Sequence, residues 1–331
     1  MSQPRFRRRT ALIMGAAFVL GMLTACGGGG GSPSPPVGGA PSPTPSVSPS
    51  PSPSPSPSPA PTPTPLSGAA TISHVGDFAV LGYSVTGTTD AMGGGTTVLQ
   101  AGGVGFRHLS AGGPFEMKIP NHDWGTLGNA TTLGRDFSSQ QVTVGTGPGS
   151  FVYRLALFIP GAQNSLLPLA YTGYGSWEAG ALQPTNPNRI DQNFGSFAYG
   201  VATPPSGIPL SGRIEFEGLV FDTYDTPGTF QATIDFASGQ VSGFVRPSFN
   251  DGIGGIGSPG SVPFDGMLNP DRSTFAINFP IGSTGRFGTI DGQLTGPGAQ
   301  ELMVRWSAVI TVPHLSPQPG NYILPGIARR S

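Results

Sequence analysis

Residues 211–221 read SGRIEFEGLVF and residues 229–245 read TFQATIDFASGQVSGFV; in both, apolar and polar residues alternate at every second position. That period is the pleat of a strand with one buried face, and it is incompatible with a helix. Ile214, Phe216, Gly218 and Val220 fall on one face, and Arg213, Glu215 and Glu217 on the other. Phe230, Ala232, Ile234 and Phe236 oppose Gln231, Thr233 and Asp235, and Ser238-Gly239 reads as a two-residue hairpin turn. The pattern returns in STFAINF, where Phe275, Ile277 and Phe279 alternate with Thr274, Ala276 and Asn278. It returns again after Glu301, with Leu302, Val304, Trp306, Ala308 and Ile310 against Met303, Arg305, Ser307 and Val309. No stretch sustains a helical period, and Gly, Pro, Asn or Asp separates the segments, so the folded part is all-β.

Adding Tyr171 to Trp177, Phe197 to Gly200 and the segment around Gly288 to Leu294 gives about eight antiparallel strands between 168 and 312. Closing such a sheet into a barrel removes the edges that would recruit other chains. Gly212, Gly218, Gly288 and Gly292 suit a curved wall. A membrane-spanning barrel needs longer strands with the apolar face outward. The short strands here predict a soluble eight-stranded antiparallel β-barrel filled by its own side chains.

The chain before this body is of another kind. Arg5, Arg7, Arg8 and Arg9 precede an apolar run from Ala11 to Leu23, too short for a permanent span, which marks a signal peptide over 1–25. Leu23-Thr24-Ala25-Cys26 then resembles the bacterial lipobox, which implies cleavage before Cys26 and a lipid anchor on that residue. Cys26 is the only cysteine, so it has no disulfide partner and no second thiol for a metal. Gly27 stands where lipoproteins kept at the inner membrane carry Asp, which points to the outer membrane. Arg7-Arg8-Arg9-Thr10 also permits a twin-arginine reading.

Residues 26–66 form a Gly/Pro/Ser linker holding 15 of the 37 prolines. It has almost nothing apolar to bury and is expected to be disordered, with polyproline II character. At about 3.1 Å per residue, Pro33 to Pro65 reaches roughly 100 Å when extended. Without the signal, 12 basic residues face 17 acidic ones, and Lys118 is the only lysine. Such a surface does not favour nucleic acid or an anionic membrane surface.

Within the folded part, YTGYGSWEA, FAYGVATPPSGIPLSGRIEFEGLV, IDFASGQVSG and GQLTGPGAQEL occur in that order. Behind a lipobox and a low-complexity spacer, this set resembles the surface lipoproteins related to transferrin-binding protein B. The resemblance implies a β-rich handle domain, 67–164, followed by the eight-stranded barrel, 165–331. It also implies a barrel-closing hairpin marked by Gly292, Gly296, Pro297, Ala299 and Glu301, with Glu301 hydrogen-bonded to a turn amide. Family members usually carry a small, Gly-rich pair after that Glu, where this chain has Leu302-Met303-Val304. One lobe is present, so transferrin itself is not implied as ligand.

Catalytic chemistry has little support. Ser176 lacks a nucleophile elbow, and His74, His108, His122 and His314 are dispersed without metal-ligand spacing. His122-Asp123 in PNHDWG reads as a polar turn, and Glu215 and Glu217 as solvated acids. The expectation is a protein that is not an enzyme and needs no cofactor or metal. It would be anchored at the outer membrane, facing the cell surface, and bind an iron or haem source or other nutrient for a TonB-dependent outer-membrane receptor. Its contacts would come from loops at 120–138, 178–193 and 246–263. A structural or adhesive surface lipoprotein is the alternative, and a hydrolase a more distant one.

Overall fold

The computed structural model describes residues 66–67, 71–72 and most of 74–331; the main segments outside it in that range are 91–94, 129–130, 134–136, 145–150, 180–181, 251–254 and 313–319. Leu23, Thr24, Ala25, Cys26 and the linker up to 65 lie outside the described residues, as do parts of the three expected binding loops. The described residues belong to one compact unit. They are almost entirely β, with one 3-10 turn at Pro205–Gly207.

The first of two large sheets contains β1 (Ala79–Asp90), β2 (Gly95–Ala101), β3 (Gly105–His108), β4 (Phe115–Lys118) and β5 (Gly125–Leu127). It continues with β6 (Phe137–Val144), β7 (Phe151–Phe158), β8 (Thr172–Ala179) and β9 (Asn186–Gly200). With the short strands Gly76–Asp77, Thr131–Leu133 and Leu182–Gln183 it has 12 strands, ordered Gly76–Asp77, β3 to β9, β1, β2 along its main path. Gly76–Asp77 runs through Phe78 into β1, so the first strand of that path and its next-to-last share one stretch of chain and the sheet curls. Phe106, Met117, Val142, Tyr153, Leu155, Trp177, Phe197 and Tyr199 fill the inside of the curl.

The second sheet is the barrel: β10 (Arg213–Phe221), β11 (Pro227–Asp235), β12 (Gln240–Arg246), β13 (Val262–Met267), β14 (Thr274–Ile281), β15 (Arg286–Thr295), β16 (Glu301–Ile310) and β17 (Gly320–Arg330). The order β13-β12-β11-β10-β17-β16-β15-β14 is antiparallel throughout. Its two end strands meet at a tight turn, where Leu268 bridges to Phe275 and the Asn269 N–H donates to the Thr274 carbonyl at 2.8 Å. The barrel is thus nearly closed. Every apolar face read from alternation points inward: Phe216, Phe230, Ile234, Phe236, Phe275, Ile277, Phe279, Leu302, Val304 and Trp306 share one core. Glu215, Glu217, Gln231 and Asn278 are exposed, so the apolar face is not the one a lipid-facing band requires. No helix among the described residues is long and apolar enough to cross a membrane.

Three sequence expectations change. The segments at 171–177 and 197–200 are not barrel strands; they lie in β8 and β9 of the first sheet, where β9 pairs with β1 from Arg189↔Asp90 to Gly200↔Ala79. β8 is buried on both faces over most of its length, so its pattern could not say which sheet it joins. The strand that completes the barrel instead is β17, beyond the limit at 312, and it makes β15–β16 an interior hairpin rather than the last one. Pro325 hid it. Pairing of β17 with β10 runs only from Val220↔Gly326 to Phe216↔Arg330, so proline sits past the last pair on that side, where a missing N–H has no ladder partner to leave unmet. The β11–β12 turn spans four residues, 236–239: Asp235 Oδ1 accepts the amides of Ala237 and Ser238, and Gly239 takes a φ of 80°.

Candidate functional site

The curled sheet lies against the outer wall of the barrel. Phe158, Leu167, Leu169, Tyr174 and Ala198 meet Phe221, Met303 and Ile327 in one buried cluster. Met303 therefore occupies the position where a small residue was expected, and it serves as a packing side chain between the two sheets.

The β15–β16 turn locks one end of this wall. Gly296 and Gly298 have φ of 72° and 68°, and a Cβ on Gly296 would stand 2.5 Å from the Tyr171 ring. Ala299 adopts a φ of 56° although it is not glycine, and it is fully buried in the barrel core. The Gly296 N–H donates to the Val201 carbonyl at 2.9 Å, and the Thr203 hydroxyl donates to the Gly296 carbonyl at 2.8 Å. Glu301, 5% exposed, follows. Its Oε1 accepts the Ala170 N–H at 2.6 Å and its Oε2 the Tyr171 N–H at 2.9 Å. Burial raises its pKa above the ordinary carboxylate value, and those amides partly oppose the rise. An acid held this way is a clamp on a loop of the other sheet.

Asp225 locks the opposite end. It takes a left-handed φ of 58°, and its carboxylate accepts the Tyr174 hydroxyl at 2.7 Å and the Ser176 hydroxyl at 3.1 Å. The Tyr174 ring stacks on Phe221 with centroids 4.2 Å apart. Asp222, three residues earlier, accepts the amides of Tyr224 at 2.9 Å and Thr226 at 2.8 Å on Oδ1, and that of Asn250 at 2.7 Å on Oδ2. Burial raises the pKa of both acids, against the hydrogen bonds each accepts. Through these two acids the first sheet, the 222–226 loop and the small hairpin Phe249–Asn250 with Ile256–Gly257 form one connected frame. Phe249 anchors that hairpin on Tyr322, with ring centroids 4.4 Å apart.

This end of the barrel is where β10, β12, β14 and β16 finish, and it exposes large apolar side chains. Tyr224 sits in the first loop, Ile256 on the hairpin at 63% exposure, Phe287 at the start of β15 at 68%, and Val309 near the end of β16. Tyr224 and Ile256 thus stand on framed loops and Phe287 and Val309 on strand ends, and exposed apolar groups of this kind are suited to contact. Of the three expected loops, 246–263 lies here; 178–193 belongs mainly to β8 and β9, and 120–138 includes β5 and Thr131–Leu133 in the first sheet.

The remaining sequence candidates are not brought together. Gly292 lies inside β15 between Phe275 and Val304, and Pro297 in the turn that precedes Glu301. His122-Asp123 is in a turn whose His122 N–H donates to the Ile119 carbonyl at 3.2 Å. The His108 ring spans the carbonyls of His74 and Gly113. Glu217 pairs with Arg329 at 3.3 Å on the surface, and Ser176 is engaged by Asp225. No group of three His, Cys, Asp or Glu that could hold a metal occurs among the described residues. Asp222 and Asp225 escaped the sequence reading. Their one signal is an Asp-rich turn ahead of Pro227-Gly228, the composition of a side-chain-capped loop.

No protein-family model and no curated protein sequence matches the chain. Among solved structures it is similar to a double mutant of the vaccine antigen transferrin-binding protein B from Haemophilus parasuis Hp5. That match has 13% identity and a TM-score of 0.41, over 76% of this chain and 45% of the other, so this chain spans less than half of that relative. It is also similar to a single mutant of the same antigen, at 10% identity and a TM-score of 0.35 over 78% of this chain and 76% of that one. A third is intact Ap-TbpB with its N and C lobes, at 10% identity and a TM-score of 0.32 over 78% of each chain. The family resembled by the sequence motifs is the one these structures represent; with scores this low the overlap is partial, and the architecture rests on this chain's own strand pairing.

Proposed function

We propose that this chain is an outer-membrane-anchored surface lipoprotein that binds a protein or nutrient ligand, an iron or haem source among the candidates, for an outer-membrane transporter. In this reading Cys26 carries the lipid and the Pro-rich segment lifts the body from the membrane. The curled sheet acts as a handle-like domain, and the barrel presents the contact loops. It is a binding protein rather than an enzyme. The observation that carries the reading is the exposed apolar set Tyr224, Ile256, Phe287 and Val309 at one end of a barrel whose 222–226 loop is tied to the first sheet through Asp225 and to the Phe249–Asn250 hairpin through Asp222.

The test is affinity capture with the purified chain against outer-membrane transporters and iron- or haem-carrying proteins, repeated with Ile256→Asp plus Phe287→Asp. A specific partner should bind the wild type and lose about tenfold or more affinity for the double variant, because exposed anchors dominate such contacts. Recovery of no specific partner, or a partner indifferent to both changes, would overturn the reading. Cys26→Ser should release the chain from the membrane fraction, and protease shaving of intact cells should remove the body.

A further inference from the structure

Among the described residues β2 is a long strand paired on a single side. β2 pairs with β1 in unbroken register from Tyr83↔Ala101 to Thr89↔Gly95, and its other edge has no strand. The end strands of the barrel, β13 and β14, differ in being turned toward each other, joined by the bridge Leu268↔Phe275. Edges are normally blunted by lysine, proline or a bulge, and β2, GTTVLQA, has none of these. The whole run from Ala91 to Phe106 holds no charged residue. Val98 is 56% exposed and Gln100 is exposed too.

The register says which groups the free edge offers. The Gly102 N–H donates to the Gly82 carbonyl at 2.7 Å, one step beyond Tyr83↔Ala101. Hydrogen-bonded pairs recur at every second residue of an antiparallel ladder. Gln100, Val98 and Thr96 therefore bond inward to β1, and Gly95, Thr97, Leu99 and Ala101 turn their N–H and C=O groups outward. We infer that this edge pairs antiparallel with β2 of a second copy of the chain, about a two-fold axis through Val98. That register sets Thr97 against the partner's Leu99 and Gly95 against the partner's Ala101, so every outward group on the strand is met. A two-fold contact places each side chain near its own copy, which charged edges resist by self-repulsion and this neutral one does not. One seven-residue ladder is a small interface, so the dimer should be weak, with a Kd in about the micromolar to millimolar range.

Val98 faces its own copy in a non-hydrogen-bonded pair, where side chains approach closest. Sedimentation equilibrium of the full chain in a non-ionic detergent, from about 1 μM to 1 mM, should show a monomer–dimer equilibrium. Val98→Lys and Val98→Glu change an exposed side chain, and each alone should weaken association about tenfold or more through like-charge contact. Mixed in equal amounts, the two variants should pair again. Hydrogen exchange at Thr97, Leu99 and Ala101 should slow as concentration rises. A wild type that stays monomeric, a dimer indifferent to Val98→Lys, or a mixture that fails to recover would overturn the inference. So would amides at 97, 99 and 101 protected equally at all concentrations, the sign of an edge covered by another segment of the same chain.

Discussion

Glu301 has both carboxylate oxygens committed to backbone amides from a loop 130 and 131 residues away in sequence. Glu301→Ala would leave the Ala170 and Tyr171 N–H groups without an acceptor at a buried site, a loss of about 3 kcal/mol. Glu301→Gln keeps one acceptor but sets an amide donor against a second N–H, and should cost about half as much. Urea denaturation of the two variants would rank them, and a Glu301→Ala protein as stable as the wild type would refute the clamp. That Glu301 bonds a turn amide was implied by the resemblance of its hairpin to the family motif. Which amides it takes was not, because nothing near residue 301 records that the 170–171 loop arrives there.

Within β15, Gly292 lies under the Phe275 ring of the neighbouring strand, and a Cβ there would stand 2.1 Å from Phe275 Cζ. Gly292→Ala should therefore destabilise the barrel by about 1–3 kcal/mol through overpacking. A shorter side chain, as in Phe275→Leu, should recover part of that loss in the double variant. Thermal unfolding of the four-member cycle measures the coupling, and strict additivity would show that the ring yields without strain. Strands with one wet face, such as β10, β11 and β14, were readable by alternation because the solvent imposes a polar residue at every second position. β8, the 195–200 end of β9 and β17 line the junction where the two sheets pack, where both faces are dry and that alternation is lost. Sequence patterning therefore placed two of them in the wrong sheet and passed over the third.

For the whole molecule, three acids at the junction set the response to pH. Burial raises the folded pKa of Glu301, Asp222 and Asp225. The folded state then binds protons more readily than the unfolded chain, so this contribution to stability is full below the ordinary carboxylate range and is lost as pH rises through the raised values. Asp235 acts in the opposite sense, since the Ser238 amide lowers its pKa and its contribution is lost as pH falls through that lowered value. Stability should consequently rise from about pH 7 to pH 5 and decline in stronger acid. Urea midpoints across that range check the sign, and Asp225→Asn should flatten the rise. A midpoint that falls steadily from pH 7 to pH 5 would contradict the assignment of these acids.

The sequence by itself determined the all-β class, the inward faces of the barrel strands and the expectation of a signal, a lipid-bearing cysteine and an extended spacer. These are local properties: period two, turn composition and the absence of apolar residues act within a few residues of one another. The tertiary structure alone decided which strands share a sheet, that β17 completes the barrel, that Asp225 and Glu301 fasten the two sheets together, and that Asp222 ties the 222–226 loop to the hairpin at Asn250. Those outcomes depend on contacts between segments far apart in the chain, where the buried face of one strand meets another whose own pattern carries no record of its partner.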